Sequence, residues 1–326
     1  MTTKNHLKKL SSISLALFAL GIMTVSALTV SPARDEKAAD PGETIQGTMT
    51  IINEQDADQT YYTSVENFDS QGESGTPNFT ASKEGLASWV KVEEKITLKR
   101  NERISLPYSI TVPKDAEAGG HFAAIFLSTV PPAAGEGQVS VGAKVGMLIL
   151  LRVTGDVKET GNLLTFAIKN TEGKTLTSLP IEFFYRFKNT GNDRVEPKGD
   201  IVIKNMIGGE VARINANKSQ GNVLPASTRR FDVRYGENDA PAVSAPFFDK
   251  VRFQMDNFAF GMYTANLDLA FGNQGKDSKT LTYFILPWHL ITVVVVTILV
   301  VVLLLTLMLK QYNKWIIKQA RAAAKK

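Results

Sequence analysis

The sequence predicts an all-β protein, two tandem sandwiches, held to a membrane by a single C-terminal helix. Three observations predict it. An uncharged Leu/Val run lies near the C-terminus, short β-branched segments recur through the middle, and one set of residues appears in the same order in both halves of that middle.

The run Leu290–Leu309 reads LITVVVVTILVVVLLLTLML, twenty residues of which sixteen are Leu, Ile or Val. At ~1.5 Å per residue such a helix spans ~30 Å, the hydrocarbon thickness of a bilayer. Each central Leu, Ile or Val favours insertion by roughly 0.3–0.6 kcal/mol, which three threonines do not reverse. Lys310, Lys314, Lys318, Arg321, Lys325 and Lys326 follow it without one acid, and no Lys or Arg precedes it nearer than Lys279. Positive charge stays on the cytoplasmic side, so the tail 310–326 is expected inside and the chain before Pro287 outside. Trp288 at one end, with Tyr312 and Trp315 at the other, fits interfacial aromatic belts. The basic residues at 310, 314, 318 and 321 fall on one helical face, suited to anionic headgroups.

The N-terminus agrees. Lys4, Lys8 and Lys9 precede an uncharged stretch, and small residues at Val25–Ala27 offer a cleavage site, so 1–27 reads as a secretory signal. If retained, it would be a second anchor with the same topology. With three positive charges in the signal, six in the tail and acid in neither, the +5 of the whole chain leaves −4 outside. A mildly acidic ectodomain has no electrostatic basis for holding nucleic acid. The chain contains no cysteine, which for an exported protein favours a bacterial surface. The sequons at Asn78 and Asn217 are then chance matches.

Between signal and span, strand-like segments include 43–53, 89–98, 103–112, 122–130 and 144–153, then 162–170, 180–189, 199–205, 229–235, 250–255 and 262–271. Short strands split by turns predict β-sandwiches over 28–154 and 155–286. The halves also match each other. Gly119-x-His121-x-Ala123-x-Ile125-x-Leu127 aligns with Gly261-x-Tyr263-x-Ala265-x-Leu267-x-Leu269. Arg103-Ile104-x-Leu106-x-Tyr108 aligns with Arg230-Phe231-x-Val233-x-Tyr235, and strands end at Asn53 and Asn189.

Residues for catalysis are scarce. His121 is the one histidine in the folded ectodomain, and its counterpart Tyr263 makes it a structural aromatic rather than a base or ligand. Without cysteine, thiolate zinc sites are excluded, and a Ser–His–Asp triad has a single route. Glu54, Asp56 and Asp58 have the D-x-D spacing that opens a calcium loop, but lack its glycine and distal glutamate. The sequence therefore predicts neither enzyme, metal nor cofactor. Binding is the better expectation. The stretch 63–88, rich in Gly, Ser and acids, is either a binding loop presenting Phe68, Asp69, Phe79 and Leu86 or a region of short unrecognised strands. Residues 238–248, with a Pro/Ala rhythm, form a second loop.

Ser31-Pro32-Ala33-Arg34 followed by Pro41-Gly42-Glu43-Thr44, then Val112-Pro113-Lys114-Asp115-Ala116 before Gly119-Gly120-His121, carry a family likeness, as do Phe187–Asn192, Pro197-Lys198-Gly199, Leu224–Ser227 and Phe260–Tyr263 in the second half. The chain resembles the WxL-interacting surface proteins of Gram-positive bacteria: signal, two immunoglobulin-like domains, one C-terminal span and a short basic tail. The resemblance implies immunoglobulin-like sandwiches at a cell surface, with peptidoglycan (cell-wall glycan) or a surface protein as partner. The alternative is an accessory ectodomain of a membrane export or surface-layer assembly. Trp288-His289-Leu290 spells W-x-L, but a belt Trp explains it.

Overall fold

A computed structural model describes residues 28–82, 84–131, 144–169, 175–236, 240–242 and 244–323; the signal segment lies outside them. The chain divides into two compact units. One runs up to Phe68 and includes Phe79–Glu117 and His121–Gly155; the other comprises Asp69–Asn78, Ala118–Gly120 and Asp156 onward.

The first fold contains β1 (Leu28–Ser31), β2 (Arg34–Ala39), β3 (Thr44–Asn53), β4 (Gln59–Gln71), β5 (Thr76–Thr80), a single turn α1 (Leu86–Trp89), β6 (Val90–Val92), β7 (Lys95–Leu98), β8 (Arg103–Thr111), β9 (Gly119–Ser128) and β10 (Lys144–Val153). One sheet has the order β1-β3-β8-β6 and the other β2-β10-β9-β4-β5, with β7 also on β4. The first strand is shared between sheets: β1 pairs antiparallel with β3, and β2 parallel with β10. This is the immunoglobulin-like sandwich. Alternation sends Met49 and Ile51, Leu106 and Ile110, Ile125 and Leu127, and Met147, Ile149 and Leu151 into one core. Each such side chain stabilises by about 1.5–3 kcal/mol on full burial. Gly47, opposite Tyr108, leaves room for that ring to lie across β3, and the hydroxyl reaches Asp35 of the other sheet. Burial first, and the Asp35 carboxylate second, push the Tyr108 hydroxyl above the ordinary tyrosine range.

The second fold repeats the scheme with β11 (Gly161–Ile168), β12 (Thr175–Leu176), β13 (Ile181–Asn189), β14 (Lys198–Asn205), β15 (Glu210–Asn215), β16 (Thr228–Tyr235), α2 (Phe247–Asp256), β17 (Gly261–Phe271), β18 (Gly275–Ile285) and α3 (Trp288–Ala323). Its sheets are β11-β13-β16 and β12-β18-β17-β14-β15, and β12 again lies parallel to the last strand. Apart from β6 and β7, which have no counterpart here, the strand order is that of the first unit.

The internal match extends to atoms. Gly119 and Gly261 both open their strands with positive φ, 125° and 105°, a region that favours glycine. Three alternate residues after each, Ala123, Ile125 and Leu127 or Ala265, Leu267 and Leu269, face the respective core. Asn53 and Asn189 are fully buried. Asn53 Nδ2 donates to the carbonyl of Ala57 at 2.9 Å and of Lys99 at 3.0 Å, while its Oδ1 accepts from the amide of Gln55 at 3.2 Å. Asn189 Nδ2 donates to Asp193 at 2.7 Å and Val223 at 2.8 Å, while its Oδ1 accepts from Gly191 at 2.8 Å. In both units one carboxamide ties a strand end to the turn two and four residues later and to a distant segment.

Two expectations change. Residues 250–255, KVRFQM, read as a strand from their alternation, are helical within α2; Val251 and Gln254, three apart, are its buried residues. Alternate charges in so short a run mimic a strand, and with so few residues the helical spacing of Val251 and Gln254 does not stand out. The same helix takes the last two residues of the loop expected at 238–248. Of the two forms expected for the stretch 63–88, the structure shows the second, unrecognised strands: it holds most of β4, all of β5 and most of α1.

Candidate binding face and membrane anchor

Helix α3 runs unbroken for 36 residues, and every side chain from Val294 to Leu309 is exposed. A core helix of a soluble domain would be covered by protein; this one is uncovered along its apolar length, which fits a membrane anchor. Its threonines bond backwards, Thr292 to the carbonyl of Trp288 and Thr297 to that of Val293, both at 2.8 Å, so no hydroxyl there needs water. Lys310, Tyr312, Lys314, Trp315 and Lys318 lie on the same continuous helix, exposed, with Tyr312 and Trp315 stacked at 6.1 Å. Arg321 is in the helix, and its side chain lies outside the described residues.

The other end of α3 is clamped. Gln254 of α2 is buried; its Oε1 accepts from the amide of Leu290 at 3.0 Å, and its Nε2 donates to the carbonyl of Thr177 at 3.0 Å and to His289 Nδ1 at 3.1 Å. Since Oε1 faces an N–H, the amide orientation is fixed, and His289 must present a bare Nδ1. The Leu290 amide is one of the first-turn donors that a helix cannot satisfy itself. Phe247 closes the corner, its ring 6.3 Å from Trp288 and 5.4 Å from His289. Gln254→Ala removes all three bonds, at roughly 1–3 kcal/mol of local stability. Amide exchange at residues 288–291 is expected to speed up in the variant; unchanged exchange there would refute the clamp.

The predicted loop residues separate. Leu86 is in the first core. Asp69 accepts a hydrogen bond from Asn78 Nδ2 at 2.9 Å across the hairpin. Phe68 and Phe79, however, come together on the outer face of the β9-β4-β5 sheet, with ring centroids 5.8 Å apart. Two residues that sequence reasoning missed complete the group. Phe122 lies 5.8 Å from Phe68, and Phe126 meets Phe79 edge-on at 4.8 Å. The signal was present in the parity of β9: Ala123, Ile125 and Leu127 face the core, so Phe122 and Phe126 must face out. Gly146 of β10 is required here, because a Cβ would stand 2.7 Å from the Phe126 ring. At the rim Lys144 Nζ is 5.6 Å from the Phe126 centroid and 2.5 Å from Glu66 Oε1. Phe79 is 38% exposed and Phe122 and Phe126 are half-buried, while Phe68 is buried and supports the other rings from within the group. Chemically this is an aromatic platform bounded by one ion pair, able to stack on the apolar face of a sugar ring or to receive apolar side chains.

Other candidates are occupied structurally. The His121 ring lies 4.7 Å from Trp89, and its Nε2 is 2.9 Å from the Glu117 carbonyl. Asp56 pairs with the Arg100 guanidinium at 2.9 Å, and Asp58 accepts from the Arg100 amide at 2.9 Å, which closes the turn. Among the described residues no group of three or more His, Cys, Asp or Glu is placed to hold a metal. Asn217 is buried, donating to the carbonyls of Pro197 and Gly221 at 3.0 Å, so its sequon is not open to glycan attachment. A cleft of about 550 Å³ over β14, β17 and β18 is lined by Lys198, Asp200, Arg213, Asp268, Lys276 and Asp277, and contains no aromatic ring. Its three positive and three negative charges offset one another.

No family model and no curated protein matches the chain. Among solved structures it is similar to the class 5 fimbriae chaperone CfaA, at 11% identity and a TM-score of 0.39, covering 80% of this chain and 100% of that one. It is also similar to the E. coli chaperone DraB, at 12% identity and a TM-score of 0.34, covering 80% and 97%. The CupB2 chaperone of Pseudomonas aeruginosa is a third, at 9% identity and 0.34, covering 77% and 98%. Nothing in these likenesses assigns the chain to a family.

Proposed function

We propose that the chain is a non-enzymatic bacterial surface protein of the WxL-interacting kind. Its C-terminal helix anchors it with the tail inside, and its immunoglobulin-like ectodomain binds cell-wall glycan or another surface protein. The observation that carries the binding role is the platform of Phe68, Phe79, Phe122 and Phe126. Four phenylalanines on the outer face of a sheet, one of them more than a third exposed, have no place in either core. Aromatic anchors of this kind dominate contact energies. The second reading, an accessory ectodomain of a membrane assembly, shares the anchor but not the need for that face.

Full-length protein in detergent, incubated with purified peptidoglycan and separately with a surface-protein extract, tests it. Phe79→Ala with Phe126→Ala is expected to weaken retention by one of the two roughly ten- to thirtyfold, as for truncating hot-spot aromatics. The melting temperature should change little, because both side chains lie outside the core. Retention equal to wild type on both would sink the platform as the binding face. Partners that instead follow a substituted transmembrane helix would favour the accessory reading.

A further inference from the structure

The end of the second unit next to α3 carries a continuous apolar surface. Ile207, Phe248, Met255, Phe258, Phe260 and Met262 are all exposed, Ile207 by 86% and Phe248 by 73%. Strand register gathers them. Asn205 lies opposite Tyr263, so the β14–β15 turn bearing Ile207 folds beside the start of β17. Met206 reaches over Gly261, where a Cβ would stand 2.1 Å from its methyl. Gly261 in turn pairs with Ile285, the last residue of β18, and Trp288 opens α3 three residues later. Phe260 packs edge-on against Phe284 at 6.0 Å. From α2, Phe247 covers Trp288 and His289, while Phe248 and Met255, seven residues apart on one helical stripe, point away from the protein.

Contiguous apolar surface marks an interaction site. What identifies the occupant is continuity with α3. The patch begins where Trp288 begins, at the level an interfacial tryptophan holds, and passes into side chains that only hydrocarbon covers. The geometry points to lipid: these residues enter the interfacial layer of the bilayer that α3 crosses, so the second unit is seated in the membrane surface as well as tethered to it. Helix α2 carries Asp249, Lys250, Arg252 and Asp256, which sum to no net charge. The seat therefore works through apolar burial and does not depend on anionic headgroups.

The absence of cysteine from the chain permits a direct test. Ile207→Cys, Phe248→Cys and Phe258→Cys, each alone in the full chain, are labelled with an environment-sensitive fluorophore and reconstituted in phosphatidylcholine vesicles. Ser219→Cys is the control; it is exposed and lies beyond the far end of β15. Emission at the three sites should shift to the blue and be quenched by brominated lipid, with neither effect at the control and no dependence on added anionic lipid. Emission matching the control at all three sites overturns the proposal. A blue shift without brominated-lipid quenching, accompanied by disulfide cross-linking between copies through Phe248→Cys, also overturns it by making a second copy the occupant.

Discussion

Phe187→Ala is expected to lower the stability of the second unit by about 3–5 kcal/mol, the range for truncating a buried aromatic. Phe187 is fully buried, and its ring meets Phe271 edge-on at 4.8 Å. Gly161 lies so near that a Cβ there would stand 2.5 Å from the ring tip. The site has little means of collapsing into the space left behind, since β13 is hydrogen-bonded on one side to β11 and on the other to β16. The cavity therefore persists, and its cost adds to the lost transfer energy. Denaturant unfolding of the full chain in detergent, read by hydrogen exchange at β13 and β17 amides, measures it. Protection of those amides equal to wild type would show that the core does not depend on this ring.

Asn53→Ala and Asn189→Ala are each expected to cost on the order of 3 kcal/mol, because several buried backbone groups lose their partner at once and each unsatisfied one costs about 1–3 kcal/mol. In Asn189→Ala the orphaned groups are the carbonyls of Asp193 and Val223 and the amide of Gly191. In Asn53→Ala the hydroxyl of Tyr61, itself buried, also loses its acceptor. Asn→Asp at either position keeps the shape and the acceptor but loses the donor, so it should be as damaging as alanine. An Asn→Asp variant with wild-type melting would refute the donor role. The parallel matters because the two residues stand at the same point of two matching folds, and equivalent losses are expected from equivalent bonds.

The parts of the fold legible in the sequence were those whose outer residues differ clearly from the inner ones. β3, β8, β13 and β17 alternate cleanly, and their inner positions recur between the halves because the same sandwich position asks for the same size of side chain. β4 was hidden: Gln59–Gln71 carries polar residues on both sides of its strand register, and half of what makes it a strand is its pairing with β9. The polar edge strand β15 was hidden for the same reason, being stabilised by its neighbour β14 rather than by its own pattern. Phe68 and Phe79 could be named from sequence, but their grouping with Phe122 and Phe126 depends on register between β4 and β9. Leu86 looked like a loop residue because its turn of helix is only four residues long, too short for periodicity to show. The clamp at Gln254 joins residues 36 apart and leaves no local trace.

Helix α3 has no break between its apolar and basic parts. It therefore fixes direction as well as depth. At 100° per residue, Lys310 falls only ~40° around the axis from Trp288, Lys314 ~80° and Lys318 ~120°. The basic stripe at one end thus lies in a set compass bearing from the tryptophan at the other. Because Gln254 holds the first turn, that bearing is keyed to the second sandwich itself: turning that fold about the helix axis turns the basic side chains of the tail through the same angle.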